Sequence, residues 1–175
     1  MRTRSMLLAS LAALASATTL QKLSLDDMIQ QSTGIVRATV TGSRCALRGP
    51  NVYTFYRLHV LEAAKAARAG QDLEVAVAGG TAGGIRQLAI GSPELTAGSE
   101  YVLFLWTGKS GLTQIIGLSQ GLFQVRKDAS GNIRLTRPAA DEPVVDRSGK
   151  AVDSQAVGNL AWSELRTRIQ RELAK

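Results

Sequence analysis

Hydrophobic and polar residues alternate with a two-residue period along much of the chain, which is the pattern of half-buried β-strands. The longest example is V-Y-T-F-Y-R-L-H-V-L-E (residues 52–62), where Tyr56, Leu58 and Val60 share one face and Phe55 lies on the other. We expect the first face to point into the core. Glycine, proline, asparagine and aspartate separate this segment from its neighbours, as is typical of hairpin turns.

The same pattern predicts further short strands on both sides of this segment. They cover residues 35–42, 72–78, 85–91, 101–106, 112–118, 119–127 and 133–137. Within the second of these, Leu73, Val75 and Val77 are expected to point inward. The segment Y-V-L-F-L-W (101–106) is apolar without interruption, which predicts a strand that is buried on both sides or lies near a barrel closure. Residues 63–70 are expected to form an exposed helical turn or a loop, and residues 138–150 a surface excursion.

A short helix is predicted before the first long strand. Ser24 is a good N-cap, and Asp26 and Asp27 suit the positive end of the helix dipole. Gly34 is expected to end the helix and to begin the change to β-branched sequence.

A second helix is predicted at the C-terminus, with Asn159 as its cap. Trp162, Leu165, Ile169 and Leu173 recur at helical spacing and form one apolar stripe. We expect this stripe to dock on the strands. The alternative is a basic amphipathic helix on a membrane surface, the one place where membrane contact is expected.

The order of elements predicts a mostly β fold: a small antiparallel OB-like β-barrel with a short N-terminal helix and a C-terminal amphipathic helix. Residues 18–175 are expected to form a single domain, because half of that length could not supply a separate core.

The segment G-G-T-A-G-G (residues 79–84) raises the question of a phosphate-binding loop. A P-loop requires a Lys-Ser/Thr ending that leads into a helix, and a dinucleotide fingerprint requires G-x-G-x-x-G in the same setting. Neither spacing is present, and the sequence that follows has strand character. Paired glycines instead favour a hairpin or bulge that needs positive φ angles.

Residues 1–17 have the pattern of a cleaved secretory signal: two arginines, a short apolar run and the exit Ala15-Ser16-Ala17. The run is too short to span a bilayer. We therefore expect a secreted or periplasmic protein that begins at Thr18 after cleavage.

The formal net charge is +7, and it falls to +5 when Arg2 and Arg4 leave with the signal. The remaining basic residues are scattered along the chain. Nucleic-acid binding would favour a concentrated basic face with interleaved aromatic residues, so no nucleic-acid partner is expected.

The chain has one cysteine and one histidine. Cys45 has no partner for an internal disulfide, which leaves a free thiol or a link to another chain; a buried or inert Cys45 is favoured over a nucleophile, because no nucleophile motif surrounds it. His59 lies between apolar neighbours on a predicted strand, which favours a solvent-facing or hydrogen-bonded histidine over a metal ligand. A hydrolase would have to bring His59 to Ser119 or Cys45. We expect no enzyme, metal or cofactor.

Several segments resemble the OB-fold barrel of netrin-like, or tissue-inhibitor-of-metalloproteinase-like, domains: I-V-R-A-T-V-T-G, H-V-L-E-A-A-K and L-T-A-G-S-E-Y-V-L-F-L. The chain is also similar to a group of uncharacterised exported bacterial proteins that carry G-G-x-x-G-G-I and G-L-S-Q-G-L-F-Q-V. The resemblance covers residues 24–137 and implies a fold. Metalloproteinase inhibitors of this kind use an N-terminal cysteine on the protease zinc, and this chain offers none there.

These observations favour an exported, non-enzymatic binding module whose partner is another exported protein. The alternative is an inhibitor of an exported protease that inserts a loop without chelating zinc. The residues expected to form the interaction loops are Arg44, Arg48, Asn51, Gly79, Gly80, Gly83, Gly84 and Arg86.

Overall fold

A computed structural model describes residues 20–139, 143–154 and 156–175; the predicted signal peptide at 1–17 lies outside them. The strands are β1 (Leu20–Gln21), β2 (Gly34–Arg48), β3 (Asn51–Lys65), β4 (Asp72–Ala78), β5 (Gly80–Ala82), β6 (Ile85–Gln87), β7 (Glu100–Thr107), β8 (Thr113–Ile115), β9 (Leu122–Lys127), β10 (Ile133–Arg137), β11 (Val144–Val145), β12 (Ala151–Val152) and β13 (Val157–Ala161). The helices are α1 (Leu25–Gln31), a 3-10 turn (Leu118–Gly121) and α2 (Trp162–Leu173).

One antiparallel sheet carries most of the fold. Its strand order is β13-β10-β9-β7-β2-β3-β4, and β8 pairs with β7 beside β9. Two small sheets accompany it: β1-β11-β12, and the hairpin β5-β6. The fold is therefore mostly β with two helices, as the sequence predicts. The predicted surface excursion at residues 138–150 is only partly found, because Val144 in β11 is buried.

Both faces of the central strand β7 are buried, which explains its uninterrupted apolar sequence. Tyr101, Leu103 and Leu105 point into one core, and Val102 and Phe104 point into a second core on the opposite face. Since side chains alternate across a strand, a strand between two cores needs apolar residues at every position. The prediction of burial on both sides is confirmed for residues 101–105, whereas Trp106 at the end of the run is 46% exposed.

The first core lies inside the curl of the sheet. It unites Leu58 on β3 and Val75 and Val77 on β4 with Ile115 on β8, so β4 and β8 approach each other across the core. In the part of the chain that the structure describes, however, no ladder of backbone hydrogen bonds joins them. The sheet has free edges at β4 and β13, and closure into a barrel is not seen.

The N-terminal helix α1 begins as its sequence predicts. Ser24 and Asp27 form a capping box, in which the Ser24 hydroxyl accepts from the Asp27 amide and the Asp27 carboxylate accepts from the Ser24 amide. The prediction for its end was wrong: α1 ends at Gln31, and Gly34 is already the first residue of β2. Ser32 ends the helix by adopting an extended conformation.

The C-terminal helix α2 packs its stripe against the second face of the sheet. Trp162, Leu165 and Ile169 are buried there with Phe104 and Phe123. Docking is thus confirmed for these residues, so the apolar face that a membrane would contact is covered. Among the described residues, no helix has the length and apolar character to cross a bilayer.

Two details of the α2 prediction were wrong. Leu173 is 41% exposed, and the buried residue of the last turn is instead its neighbour Glu172. Asn159 does not cap the helix; it lies in β13 with φ +57°, and the N-cap is Ala161. Asparagine tolerates positive φ better than most other side chains, so Asn159 marks an irregular position in β13 and not the start of the helix.

The strand β3 also continues further than predicted. Residues 63–65 pair with β2, and only the chain beyond Lys65 forms the connection to β4. The Lys65 ammonium donates to the carbonyl oxygens of Ile29 and Gln30 at the end of α1. These contacts satisfy helix-terminal carbonyls and hold the strand in place.

Glu62 joins α2 to the sheet. Its carboxylate accepts hydrogen bonds from the Trp162 indole, the Arg166 guanidinium and the Arg37 guanidinium, each at 2.9 Å. Arg37 also pairs with Glu100 on the other side. Burial raises the pKa of Glu62, but these hydrogen bonds outweigh it and leave the pKa below its ordinary value.

A carboxyl group whose pKa is lowered by folding stabilises the fold above its unfolded-state pKa, and this contribution is lost as the pH falls through the folded pKa. We therefore expect wild type and Glu62→Gln to differ in free energy of unfolding at about pH 6, and the gap to shrink at about pH 3. Urea unfolding at the two pH values measures this. Glu164→Gln, on the exposed face of α2, is the control. A gap for Glu62→Gln that does not change with pH would contradict the role of its charge.

Candidate functional site

Two hairpins meet at one end of the sheet. The β2–β3 hairpin turns at Gly49-Pro50, and the small β5–β6 hairpin packs beside it. The Val52 amide donates to the Gln87 side-chain oxygen at 2.8 Å, and the Gly79 amide donates to the Val52 carbonyl at 2.9 Å. The structure therefore brings together the two segments that the sequence singles out as interaction loops.

The first of these segments was predicted wrongly in its local structure. Arg44, Arg48 and Asn51 are not in a loop: the first two lie on β2 and Asn51 begins β3. Arg48 and Asn51 face each other in the ladder, so only the two residues between them turn. The polar composition of residues 44–51 belongs to the exposed end of a long hairpin. The strands β2 and β3 continue there beyond the core.

The glycines of the second segment adopt the conformation that the sequence predicts. Gly79, Gly80, Gly83 and Gly84 have φ of +99°, +129°, +56° and +74°. Gly83 and Gly84 form the two-residue turn between β5 and β6, where positive φ at both positions matches strand twist. The segment is thus a hairpin turn that leads into a strand. The strand after it is shorter than predicted, because β6 ends at Gln87.

These hairpins and the segment that follows β6 expose large apolar side chains. Leu88 is 81% exposed, Ile90 74%, Ile85 50% and Leu47 44%. Leu47 lies against the turn, since a Cβ on Gly83 would sit 2.8 Å from its Cδ1 atom. We call Leu47, Ile85, Leu88 and Ile90 the hairpin face. The alternation of residues 85–91 predicts a strand, but in the described part of the chain the strand ends at Gln87 and the large apolar side chains here stay exposed.

Three arginines lie on the strands of these hairpins, Arg44 and Arg48 on β2 and Arg86 on β6. Arg44 stacks over the Phe55 ring at 4.5 Å and pairs with Glu74, which accounts for the burial of Phe55 on the outer side of β3. Arg48 donates to the Ser110 carbonyl oxygen at 2.9 Å. Within the described ranges, neither Arg48 nor Arg86 forms an ion pair with a carboxylate. The rim of the face is therefore positively charged.

A groove of about 270 Å³ lies beside the hairpin face, between the glycine hairpin and the chain that follows it. Its lining includes Thr54, Arg86, Ser92 and Glu94. The Ser92 hydroxyl oxygen is buried and has no hydrogen-bond partner among the described residues. A buried hydroxyl without a partner is costly, so Ser92 would gain stability from a polar group that reached it after a local rearrangement of the groove.

Cys45 lies at the foot of the glycine hairpin and is exposed, so of the predicted alternatives, a buried or an inert thiol, burial was wrong, and inertness stays a prediction. Its Sγ atom lies 3.5 Å from the Thr54 hydroxyl oxygen. The hydrogen bond with Thr54 lowers the pKa of the Cys45 thiol. Cys45 pairs with Thr54 on the same face of the sheet as Tyr56, and it is exposed because this end of the hairpin extends past the first core.

His59 is 46% exposed at its side chain and its Nδ1 atom lies 2.9 Å from an Asp72 carboxylate oxygen. The prediction of a solvent-facing, hydrogen-bonded histidine is confirmed. Cys45 pairs in register with Thr54, five residues before His59 on β3. At about 3.3 Å per residue this separates the thiol from the imidazole by roughly 16 Å, too far for a Cys-His pair.

The described residues contain no group of three or more histidine, cysteine, aspartate or glutamate side chains that could hold a metal ion. The hairpin face and its groove are therefore the arrangement with the clearest capacity to bind something: apolar surface, unpaired cations and an unsatisfied hydroxyl in one place. In comparisons with known proteins, no protein-family model, curated protein or solved structure matches this chain.

Proposed function

We propose that this chain is an exported, non-enzymatic binding module whose hairpin face docks on another exported protein. The observation that carries the proposal is the exposure of Leu88 and Ile90, 81% and 74%, beside the exposed Ile85 and Leu47. Single exposed apolar residues are common, but a group of large ones on adjacent hairpins and the segment that follows them is typical of a protein-protein interface.

The charges around the face favour a partner with an acidic rim. Arg48 and Arg86 carry positive charge without a carboxylate partner among the described residues, whereas the charge of Arg44 is paired with Glu74. Interfaces combine an apolar centre with a polar border, and complementary charge on that border speeds association. An apolar pocket edged by aspartate or glutamate would match this face.

The groove supports the same proposal, because it offers a place for a polar group of the partner. The Ser92 hydroxyl is buried and has no hydrogen-bond partner in the part of the chain that the structure describes, and Arg86 and Glu94 lie along the same groove. A side-chain amide or backbone carbonyl that reached Ser92 would satisfy it and fix the orientation of the partner on the apolar face.

We further propose that the curled sheet is an incomplete OB-like barrel. The approach of β8 to β4 across the first core supports this, as does the placement of the hairpins at one end of the curl. Export of the protein rests on the signal-like pattern of residues 1–17.

The proposal predicts that replacing Leu88 and Ile90 by serine abolishes partner binding and leaves the fold intact. Both side chains are exposed, so the free energy of unfolding should change by less than about 0.5 kcal/mol. Immobilised wild type and the double variant are incubated with the extracellular and periplasmic fractions of the producing organism, and retained proteins are identified by mass spectrometry. Leu173→Ser is the matched control, because Leu173 is exposed on α2 away from the hairpins.

Retention of a protein by wild type and by Leu173→Ser, with at least about a tenfold loss in the double variant, is the expected result. A protein retained equally by all three would place binding elsewhere. If the retained protein is a protease and the purified chain slows it, the inhibitor hypothesis replaces the general one. Turnover on a hydrolase panel that His59→Ala abolishes would contradict the non-enzymatic assignment.

A further inference from the structure

A second pocket lies where the segment before α1 meets the end of β10. Its lining shares no residue with the hairpin face or its groove. It has a volume of about 210 Å³, larger than the ~150 Å³ cavity that accommodates benzene in an engineered protein. Leu23, Val144 and Val157 supply apolar wall, and Lys22 and Arg137 supply the charge. The described lining includes no aspartate or glutamate.

Arg137 is partly buried and held in a fixed position. Its guanidinium lies 4.9 Å from the centre of the Phe123 ring and donates to the Gln120 carbonyl oxygen. Gln120 is itself buried: its side chain accepts from the Leu23 amide and donates to the Gln21 carbonyl oxygen. The arginine is therefore preorganised by the same contacts that fix the N-terminal segment.

The guanidinium has donors to spare. Arginine carries five N–H groups, and within residues 20–139, 143–154 and 156–175 no carboxylate forms an ion pair with Arg137. Burial lowers the pKa of Arg137, the sign that its charge has lost water without gaining an anion. Lys22 donates to the Asp153 carbonyl oxygen at 3.3 Å and adds a second positive charge at the exposed side of the pocket.

We propose that this pocket binds a small aliphatic monocarboxylate, with the carboxylate on Arg137 and the hydrocarbon against Leu23, Val144 and Val157. A carboxylate matches the planar fork of a guanidinium and can accept two parallel hydrogen bonds. The apolar wall contributes through burial of the hydrocarbon. A strongly hydrated dianion such as phosphate would have to give up more water and would gain nothing from the apolar wall.

The same chemistry occurs in a free short-chain acid and in the C-terminal carboxylate of a peptide that ends in an apolar residue. Titration of 15N-labelled protein, followed by NMR, distinguishes the two sources. The probes are hexanoate and acetyl-Ala-Leu, each with its uncharged amide as the matched control. We expect saturable shifts at residues of the pocket with a Kd of about 1 mM or tighter for at least one acid, and no saturation for the amides. The acid that saturates identifies the source.

Variants locate the site. Arg137→Gln should weaken binding at least about tenfold and Lys22→Gln about threefold, whereas Lys109→Gln, which removes the same charge elsewhere, should leave the Kd unchanged. Because Arg137 also supports the fold, Ala156→Trp provides a second test: it fills the pocket mouth and should abolish binding, with Ala151→Trp, outside the pocket, as its control.

Equal binding of acid and amide, shifts that map away from the pocket, or no saturation by either acid would overturn the proposal. This site is separate from the hairpin face, so the Leu88 and Ile90 double variant should bind the acid as wild type does. Loss of partner capture and loss of acid binding can therefore be told apart.

Discussion

Trp162→Ala is expected to lower the free energy of unfolding by about 3–5 kcal/mol, the usual loss for a large aromatic side chain removed from a core. Trp162 is 4% exposed and belongs to the core between α2 and the sheet. The change also removes the indole N–H that donates to Glu62 at 2.9 Å and so leaves a partly buried carboxylate with one bond fewer. Urea unfolding followed by circular dichroism measures the loss.

Leu173→Ala is the control for this prediction. It lies on the same helix and was expected from its spacing to share the stripe, but it is 41% exposed. We expect its truncation to cost less than about 1 kcal/mol, since little apolar area leaves a buried environment. Similar losses for the two variants would mean that α2 does not pack as described.

Gly80→Ala is expected to cost roughly 2–5 kcal/mol, from backbone strain and overpacking together. Gly80 has φ +129°, a region that residues with a Cβ rarely adopt. A Cβ there would lie 2.8 Å from both the Cys45 Sγ and the Thr54 Oγ1 atoms. Both side chains are short, and Thr54 is fixed by its hydrogen bond to the Gly79 carbonyl oxygen, so neither can move aside cheaply.

Two other glycines separate the contributions. Gly84→Ala meets strain alone, because its φ is +74° and no atom lies within 4 Å of an added Cβ; it should cost about 1 kcal/mol. Gly42→Ala meets neither strain nor a neighbour and should change stability by less than about 0.5 kcal/mol. Equal costs at all three positions, measured by urea unfolding, would contradict the description of the hairpin.

The features that could be predicted from sequence are those that depend on nearby residues. The capping box of α1 needs only Ser24 and Asp27, three positions apart. The glycine hairpin follows from a steric rule for single residues, and the two-sided burial of β7 follows from an apolar run too short for anything but a strand. Each of these features can be inferred from the residues of a single short segment.

The features that could not be predicted depend on what covers a segment. The sequence around Leu88 and Ile90 is that of a strand with a buried side, yet the described chain provides no element to bury it. Cys45 would be buried, as expected of a small apolar residue, if its part of the hairpin lay over the core. The hairpin extends past the core, so Cys45 is exposed. Barrel closure likewise depends on the distance between β4 and β8, which no local pattern encodes.

The central claim, that the hairpin face is where this protein meets its partner, is tested most directly by site-specific crosslinking. A photoreactive phenylalanine analogue replaces Leu88 in one variant and Leu173 in the other, and each purified protein is irradiated with the extracellular and periplasmic fractions. We expect a discrete adduct with one exported protein from position 88 and none from position 173, lost on addition of excess unlabelled wild type. An adduct from position 173 alone, or none from position 88 while wild type still retains a partner, would contradict the claim.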